Sequence, residues 1–197
     1  RLVPTPLKSF ALLKLLRRKS MLQVVAGGEH SIALDNSGLV YSWGSGKQGQ
    51  LGNGSLSTAL DAVSHHLTPK PVLPLHGVRV VQIASGSNHV LALSDEGVVY
   101  SWGAGKNGRL GHGSQKNIAR PRRVSTLQNR ALAVACGWSH SMAIAAPRKG
   151  AFGLFKSKKD IPNTSVLYTW GRGDDGRLGT GAKGDVYKPK SITEDLP

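Results

Sequence analysis

"YSWGSGKQGQLGNG", residues 41–54, recurs twice further along the chain. The second copy is "YSWGAGKNGRLGHG" at residues 100–113, and the third is "YTWGRGDDGRLGTG" at residues 168–181. Taken alone, the first copy spells G-x-G-x-x-G, the pattern of a dinucleotide-binding turn. That turn needs a helix directly after the glycines and an acidic residue about twenty positions later, and neither follows here. A repeated structural unit needs the same turn each time, so we interpret the phrase as structural.

A second shared string precedes each copy: "AGGEHSIALD", "ASGSNHVLALS" and "ACGWSHSMAIA". Its histidine lies 13 residues before the tryptophan of the next phrase in the first two repeats and 30 residues before it in the third. The third repeat therefore carries an insertion. The nearly continuous apolar runs predict buried strands, and the glycine-ended turns at 36–38 and 95–97 predict hairpins. Proline-led segments after the glycine loops predict an outer edge strand.

This organisation predicts an all-β fold, a β-propeller segment of three blades. The repeats fall at about residues 24–82, 83–133 and 134–197, with the insertion at about 147–165. Residues 1–23 form a linker with a basic, helix-prone insertion. Three glycines at one repeat position are expected to hold turn geometry and contact no nucleotide: Gly46, Gly105 and Gly173.

The shared pattern V-A-G/C-G-x-x-H-S-x-A-L followed by G-x-V-Y-x-W-G-x-G-x-x-G-x-L-G-x-G resembles the repeat of the regulator of chromosome condensation family. The resemblance implies a seven-bladed β-propeller, of which three blades are visible here. Both ends of the chain fall at the same phase of the repeat, so we expect an excerpt of a longer ring. The remaining blades then lie on the same or another chain. The alternative is a natural three-blade protein that completes a ring with a partner.

The charge is strongly basic, with 26 Lys and Arg against 11 Asp and Glu and a net charge of +15. No acidic residue occurs in residues 1–28 or 97–159. Such a bias indicates a polyanionic partner, RNA first, although a merely solvated surface is the alternative. The predicted nucleic-acid-binding residues are Lys14, Arg17, Arg18, Lys19, Arg120, Arg122, Arg123, Arg148, Lys149, Lys156, Lys158 and Lys159. Strand alternation predicts Arg120 and Arg122 on one side of an outer strand and Arg123 on the other.

Aromatic and histidine positions follow the repeat. Three tryptophans are expected in the core: Trp43, Trp102 and Trp170. Trp138, which we align with Glu29 and Asn88, is expected on the ring surface, where it would stack on a base or a partner side chain. A semi-exposed aromatic residue without a ligand is the equal alternative. Three histidines lie one to a blade, too far apart to share a metal, and are expected to bond backbone groups: His30, His89 and His140. The single cysteine, Cys136, is expected to be a small core residue.

The sequence predicts no catalysis, cofactor or metal site, because no nucleophile elbow and no paired carboxylates outside turns are present. It also contains no run of 18 apolar residues, so no membrane span is expected. The best-known activity of the family it resembles is guanine-nucleotide exchange on a Ran-type GTPase, but resemblance to the repeat alone does not imply that activity. In that exchange factor the GTPase-contacting wedge follows a glycine loop, whereas the insertion here comes before Trp170.

The preferred hypothesis is a non-enzymatic scaffold that binds RNA and protein subunits in a large ribonucleoprotein assembly, such as the mitochondrial ribosome. The alternatives are a guanine-nucleotide exchange factor or chromatin-binding propeller in the nucleus, and a cytoskeletal or ciliary scaffold. An intracellular location is expected because the lone cysteine argues against a disulfide-built secreted domain. Residues 7–19 are basic and acid-free, as in mitochondrial targeting segments, but a blade-linking insertion is the preferred interpretation because the proline-led start fits the phase of the repeat.

Overall fold

The computed structural model describes residues 19–54, 65–128, 130–146 and 165–192. These residues form three four-stranded antiparallel sheets, in each of which the strands follow chain order. The first sheet holds β1 Met21–Ala26, β2 His30–Asp35, β3 Val40–Ser45 and β4 His65–Pro71. The second holds β5 Val80–Ser85, β6 His89–Ser94, β7 Val99–Gly103 and β8 Ile118–Arg123. The third holds β9 Arg130–Cys136, β10 His140–Ala146, β11 Val166–Gly171 and β12 Val186–Ser191. The predicted all-β fold of three propeller blades is confirmed.

Most of the predicted linker, residues 1–18, and of the predicted insertion, residues 147–164, lies outside the described residues. The second strand is the most buried in the first two blades, and β6 is buried along its whole length. The predicted hairpin turns form at Gly38, with a φ of 89°, and at Gly97, with a φ of 77°. Both values lie in the left-handed region, where glycine carries no Cβ penalty.

The hydrophobic core lies between neighbouring sheets. One cluster joins Ile32 and Leu34 of the first blade to Val90 and Trp102 of the second. The other cluster is the same contact one blade later and includes Leu91, Val99, Val134 and Trp170. Each blade therefore buries its apolar faces against the next blade, as repeat units do.

Hydrogen bonds between blades repeat with the same register. The Gln23 side-chain amide brackets Ile83 of the next blade, donating to its carbonyl at 2.8 Å and accepting from its N–H at 2.9 Å. Gln82 brackets Val134 in the same way, at 3.1 and 3.0 Å. The Trp102 Nε1–H donates to the Gln50 carbonyl at 3.0 Å. These bonds satisfy polar groups that the contact between sheets would otherwise bury without partners.

The repeated histidines also join blades. His30 Nε2 lies 2.9 Å from Ser85 Oγ, and His89 Nε2 lies 2.9 Å from Ser141 Oγ. Ser141 Oγ donates to the Arg109 carbonyl at 2.8 Å, so it accepts the Nε2 proton of His89. Our expectation of backbone partners was therefore wrong for these two contacts, in which the partner is a serine hydroxyl of the following blade. Burial lowers the pKa of His30 to about 4 and that of His89 to about 3.

The described residues of the glycine loops contain no helix suited to a pyrophosphate. The second and third loops pass through single 3-10 turns, Lys106–Gly108 and Asp174–Gly176, and lead into outer strands β8 and β12 without an intervening α-helix. Gly105 has a φ of −92°, outside the left-handed region. An added Cβ there would lie 2.0 Å from the Lys116 carbonyl oxygen. Glycine is therefore required at this position because the returning backbone passes close by, and the unusual φ angles belong to neighbours such as Gly108.

Candidate nucleic-acid interface

The outer strands carry a basic residue at one shared register position. In each blade this residue follows a proline and pairs with a hydroxyl residue of the third strand. The three pairs are Lys70 with Ser42, Arg122 with Ser101, and Lys190 with Thr169. We call Lys70, Arg122 and Lys190 the basic column, since they supply one cation per blade.

The hydroxyl partners fix the position of the column. Ser42 Oγ donates to the Leu51 carbonyl at 2.8 Å, and Ser101 Oγ donates to the Leu110 carbonyl at 2.7 Å. Thr169 makes the same bond to Leu178 at 2.9 Å. Each bond ties the glycine loop to the third strand, against which the outer strand pairs. The outer strand is an edge strand, paired with a neighbour on one side only. Proline is tolerated in edge strands, and long cationic side chains on them remain in solvent.

Arg120, Arg122 and Arg123 all lie on β8 and are all exposed. Arg122 and Arg123 pair with Ser101 and Tyr100, respectively. Arg120 lies over Gly54 of the preceding blade, where an added Cβ would be 2.6 Å from its Nε. Among the described residues, the ion pairs are Lys19–Asp35, Arg172–Asp174 and Arg177–Asp175, so no described carboxylate neutralises these three arginines.

Lys19 is in a different environment. Its Nζ lies 3.2 Å from Asp35 Oδ2, donates a hydrogen bond to the Tyr41 hydroxyl and lies 5.1 Å from the centre of that ring. Burial acts to raise the pKa of Asp35, but hydrogen bonds from Ser37, Leu39, Lys19 and Tyr41 outweigh it and lower the pKa to about 2. The ammonium group of Lys19 therefore already has an anionic partner.

The other predicted cations lie outside the described residues: Lys14, Arg17, Arg18, Arg148, Lys149, Lys156, Lys158 and Lys159. Three further exposed cations of the outer strands were missed by sequence reasoning: Lys70, Lys188 and Lys190. Their signal is the proline of each outer segment. Aligning Pro69, Pro121 and Pro189 places a basic residue directly after each of them.

Trp138 lies on a second surface, at the opposite edge of its sheet from the outer strand. It is 70% exposed, as expected for a residue on the ring surface. Gly28 N–H donates to the Ser87 carbonyl at 2.8 Å, and Ser87 N–H donates to the Trp138 carbonyl at 3.1 Å. These bonds make Gly28, Ser87 and Trp138 equivalent. Our alignment of Trp138 with Glu29 and Asn88 was therefore wrong by one residue.

A depression of about 460 Å³ lies beside the Trp138 indole. Its other lining residues come from the first two blades: Gly28, Glu29, Ser45, Lys47, Gln48, Gln50, Ser87 and Asn88. The lining mixes one carboxylate, one ammonium, side-chain amides and hydroxyls. The basic column is purely cationic by contrast, so the two surfaces suit different ligand groups.

No helix among the described residues has the length and apolar character needed to cross a membrane. The same residues contain no group of three or more His, Cys, Asp or Glu side chains placed to hold a metal ion. Cys136 is a free, partly exposed cysteine, and burial of its thiol raises its pKa to about 12. Such a thiol is almost entirely protonated at neutral pH and is a poor nucleophile.

Comparison with solved structures finds the same fold. The crystal structure of Prp20p from Saccharomyces cerevisiae aligns with a TM-score of 0.68 and 24% identity, over 89% of this chain and 39% of that one. Human WBSCR16 aligns with a TM-score of 0.59 and 22% identity, over 89% of this chain and 54% of that one.

Comparison with curated sequences finds the same repeats. The human E3 ubiquitin-protein ligase HERC2 is 35% identical over 184 residues, which are 92% of this chain and 3% of that protein. The ultraviolet-B receptor UVR8 of Arabidopsis thaliana is 35% identical over 175 residues, 88% of this chain and 34% of that protein. The chain thus spans a small part of the relatives it matches. The family description "Regulator of chromosome condensation (RCC1) repeat" matches residues 37–93, 96–144 and 166–196, and a second description of the same repeat matches residues 22–50 and 80–109. The chain therefore belongs to the regulator of chromosome condensation repeat family.

Proposed function

We propose that this propeller segment is a non-enzymatic scaffold that binds nucleic acid, RNA in particular, through its outer strands. The basic column carries the proposal, because it repeats one exposed cation at the same register position in every described blade. Exposed cations attract the charged phosphates of a nucleic-acid backbone and release counterions when they bind them. Such contacts position a nucleic acid without reading its sequence.

Two histidines and the cysteine of the described residues, which could serve in catalysis by type, have structural surroundings instead. His30 and His89 are buried at blade junctions, and their pKa values are lowered by that burial. The Cys136 thiol is protonated at neutral pH. These observations support binding rather than catalysis as the role of this segment.

Substituting Lys70, Arg122 and Lys190 together with glutamine in the intact protein is expected to weaken RNA binding about tenfold or more at moderate salt, because each lost phosphate contact removes counterion release. The slope of log K against log salt should fall by about 0.9 per lost contact on a duplex and by about 0.7 on a single strand. Fluorescence anisotropy with labelled RNA over a salt series measures both quantities.

The matched control removes the same charge from positions outside the outer strands. Arg79, Lys106 and Lys183 are exposed and lie outside β4, β8 and β12, so their joint replacement by glutamine should change affinity and slope less. If the two triple variants weaken RNA binding equally, binding depends on the net charge of the protein and not on the position of the basic column. Unchanged binding in the first variant would contradict the proposal, and catalysed nucleotide release from a GTPase would then favour an exchange factor.

The assembly and its location are part of the same proposal. We place the scaffold in a ribonucleoprotein complex, with the mitochondrial ribosome as the first candidate. Protein partners fit this role, since the related yeast Prp20p has been studied for its binding to Gsp1p and histones. Co-sedimentation of the tagged protein with ribosomal particles in a mitochondrial fraction tests this, and a nuclear pool bound to chromatin would replace it by the chromatin alternative.

The two flanks of the segment support further propeller blades as partners, on the same chain or another. Val24 is 70% exposed, whereas its repeat equivalents Ile83 and Val134, packed against a preceding blade, are 1% and 4% exposed. At the other flank, Gly179 corresponds to Gly52 and Gly111. An added Cβ at either of the latter two would lie 2.9 Å from a tryptophan Nε1 of the next blade, whereas at Gly179 Ile192 is the only described residue within 4 Å. One flank thus exposes an apolar strand, and at the other flank no described tryptophan contacts the glycine.

Expressed alone, the 197 residues are expected to aggregate or to stay partly unfolded, because two uncovered blade faces leave apolar surface and strand edges in water. Light scattering coupled to size-exclusion chromatography, followed by thermal unfolding, measures this. A soluble monomer with one cooperative unfolding transition would contradict the expectation.

A further inference from the structure

We infer that Trp138 and the depression beside it form a binding site for an unpaired nucleobase of single-stranded RNA. This inference rests on the proposed function and gives it a second contact surface, distinct from the basic column. The two surfaces differ in chemistry, so each makes its own prediction about nucleic-acid binding.

The shape of the site comes from a break in the repeat. Trp138 stands at the position occupied by Gly28 and Ser87 in the other two blades. Those small residues leave space, and the single large indole stands beside it. The Trp138 backbone is held by the hydrogen bond from Ser87 N–H to its carbonyl, at 3.1 Å. The depression is lined by residues of the three described blades, so it does not depend on any further blade.

An exposed indole is a stacking platform that accepts any base, since every base has a π-face. A volume of about 460 Å³ lies within the range of small-molecule pockets, roughly 300–1,000 Å³. A base in a duplex is already stacked on both sides and cannot enter such a site, whereas an unpaired base can. The inferred ligand is therefore single-stranded.

The lining supplies polar groups for a base edge and its phosphate. Lys47 is exposed and is the cation that would meet the phosphate. The Asn88 and Gln48 amides can pair with base edges, and the Glu29 carboxylate can accept from an exocyclic amino group. Two contacts hold these amides in place: Asn88 Nδ2 donates to Ser87 Oγ at 3.0 Å, and Gln48 Oε1 accepts from Asn117 Nδ2 at 3.0 Å. The carboxylate within the lining disfavours a site for phosphate alone.

The experiment compares Trp138→Ala with Trp138→Phe in the intact protein. The probes are a ten-nucleotide oligouridylate and a blunt RNA duplex of ten base pairs. Alanine is expected to weaken oligouridylate binding about 5- to 150-fold, the fold-change equivalent of one stacked base, and to leave duplex binding unchanged. Phenylalanine should retain most of the affinity. The salt slope should stay the same in both variants, because no phosphate contact is lost.

The outcomes separate this inference from the proposed function. If the column variant weakens RNA binding but Trp138→Ala does not, the nucleobase site is wrong and the scaffold proposal stands. Equal losses on the single strand and the duplex would also overturn the site. If neither probe binds the unsubstituted protein, both proposals fail. Because Trp138 is 70% exposed, its replacement should leave the thermal midpoint unchanged, and thermal unfolding checks that the variants are folded.

Discussion

Replacing Gly86 with alanine is expected to lower the free energy of unfolding by about 3 kcal/mol, in a folded protein that contains these three blades. An added Cβ there would lie 2.1 Å from Cε1 of His89 and 2.6 Å from the Gly137 carbonyl oxygen. The His89 ring is fully buried and bonded to Ser141, so it cannot move aside without breaking a blade junction. Urea unfolding followed by circular dichroism measures the change.

Gly77→Ala is the control for the loss of glycine itself. Gly77 has a φ of 88°, so an L-residue is strained there by roughly 1–2 kcal/mol, but an added Cβ would meet no atom of a described residue within 4 Å. Gly86 is not among the positive-φ glycines, so its cost should come from the steric clash alone. A loss at Gly86 no larger than that at Gly77 would show that the histidine contact is easily rearranged.

Much of the fold follows from local pattern. The apolar runs of β2 and β6, the hairpin glycines and the proline-led outer strands are visible in sequence because each depends on neighbours within a few residues. The glycine of G-x-x-H is different. The sequence shows it at positions 27, 86 and 137, but only the structure shows that the histidine ring occupies the space of its missing Cβ.

Contacts between blades were harder to predict. Serine as the partner of His30 and His89 was missed because these partners are 55 and 52 residues away and occupy different repeat positions. The bracket that Gln23 forms around Ile83 was missed for the same reason. Periodicity shows which residues are alike, and it does not show which face meets which in the neighbouring blade.

The candidate site was predicted in part. Arg120, Arg122 and Arg123 stood out because three arginines within four positions form a dense local charge. Lys70 and Lys190 lie in less basic stretches and do not stand out by charge, although each follows a proline as Arg122 does. The register with β3 and β11 then shows that the three occupy one position of the blade. Trp138 was recognised as unusual from its residue type. The residues that line the depression beside it come from three loops of the other two blades, and the sequence does not show that these loops meet.

The largest pH effect is expected from the junction histidines. The pKa of His30 falls to about 4 and that of His89 to about 3, in both cases because burial disfavours the charged ring. Against an ordinary value of 6.5, both remain neutral in the folded protein while the unfolded chain takes up protons. Their stabilisation is therefore complete above pH 6.5 and is lost as pH falls from 6.5 towards 4 and 3.

The two histidines together are expected to remove about 5 kcal/mol of folding free energy between pH 7.5 and pH 4.5. Asp35, whose pKa is lowered to about 2 from 3.8, loses its contribution only below about pH 4, so the two effects separate along the pH axis. Urea midpoints at pH 7.5, 6.5, 5.5 and 4.5 measure the histidine part, to which His112 also contributes because burial lowers its pKa to about 4. His89→Gln keeps a donor towards Ser141 and should reduce the slope below pH 6.5 by about 1.4 kcal/mol per pH unit. The exposed His76→Gln is the matched control. Stability that stays constant down to pH 4.5 and falls only where carboxylates titrate would show that the junction histidines do not set the acid limit of this fold.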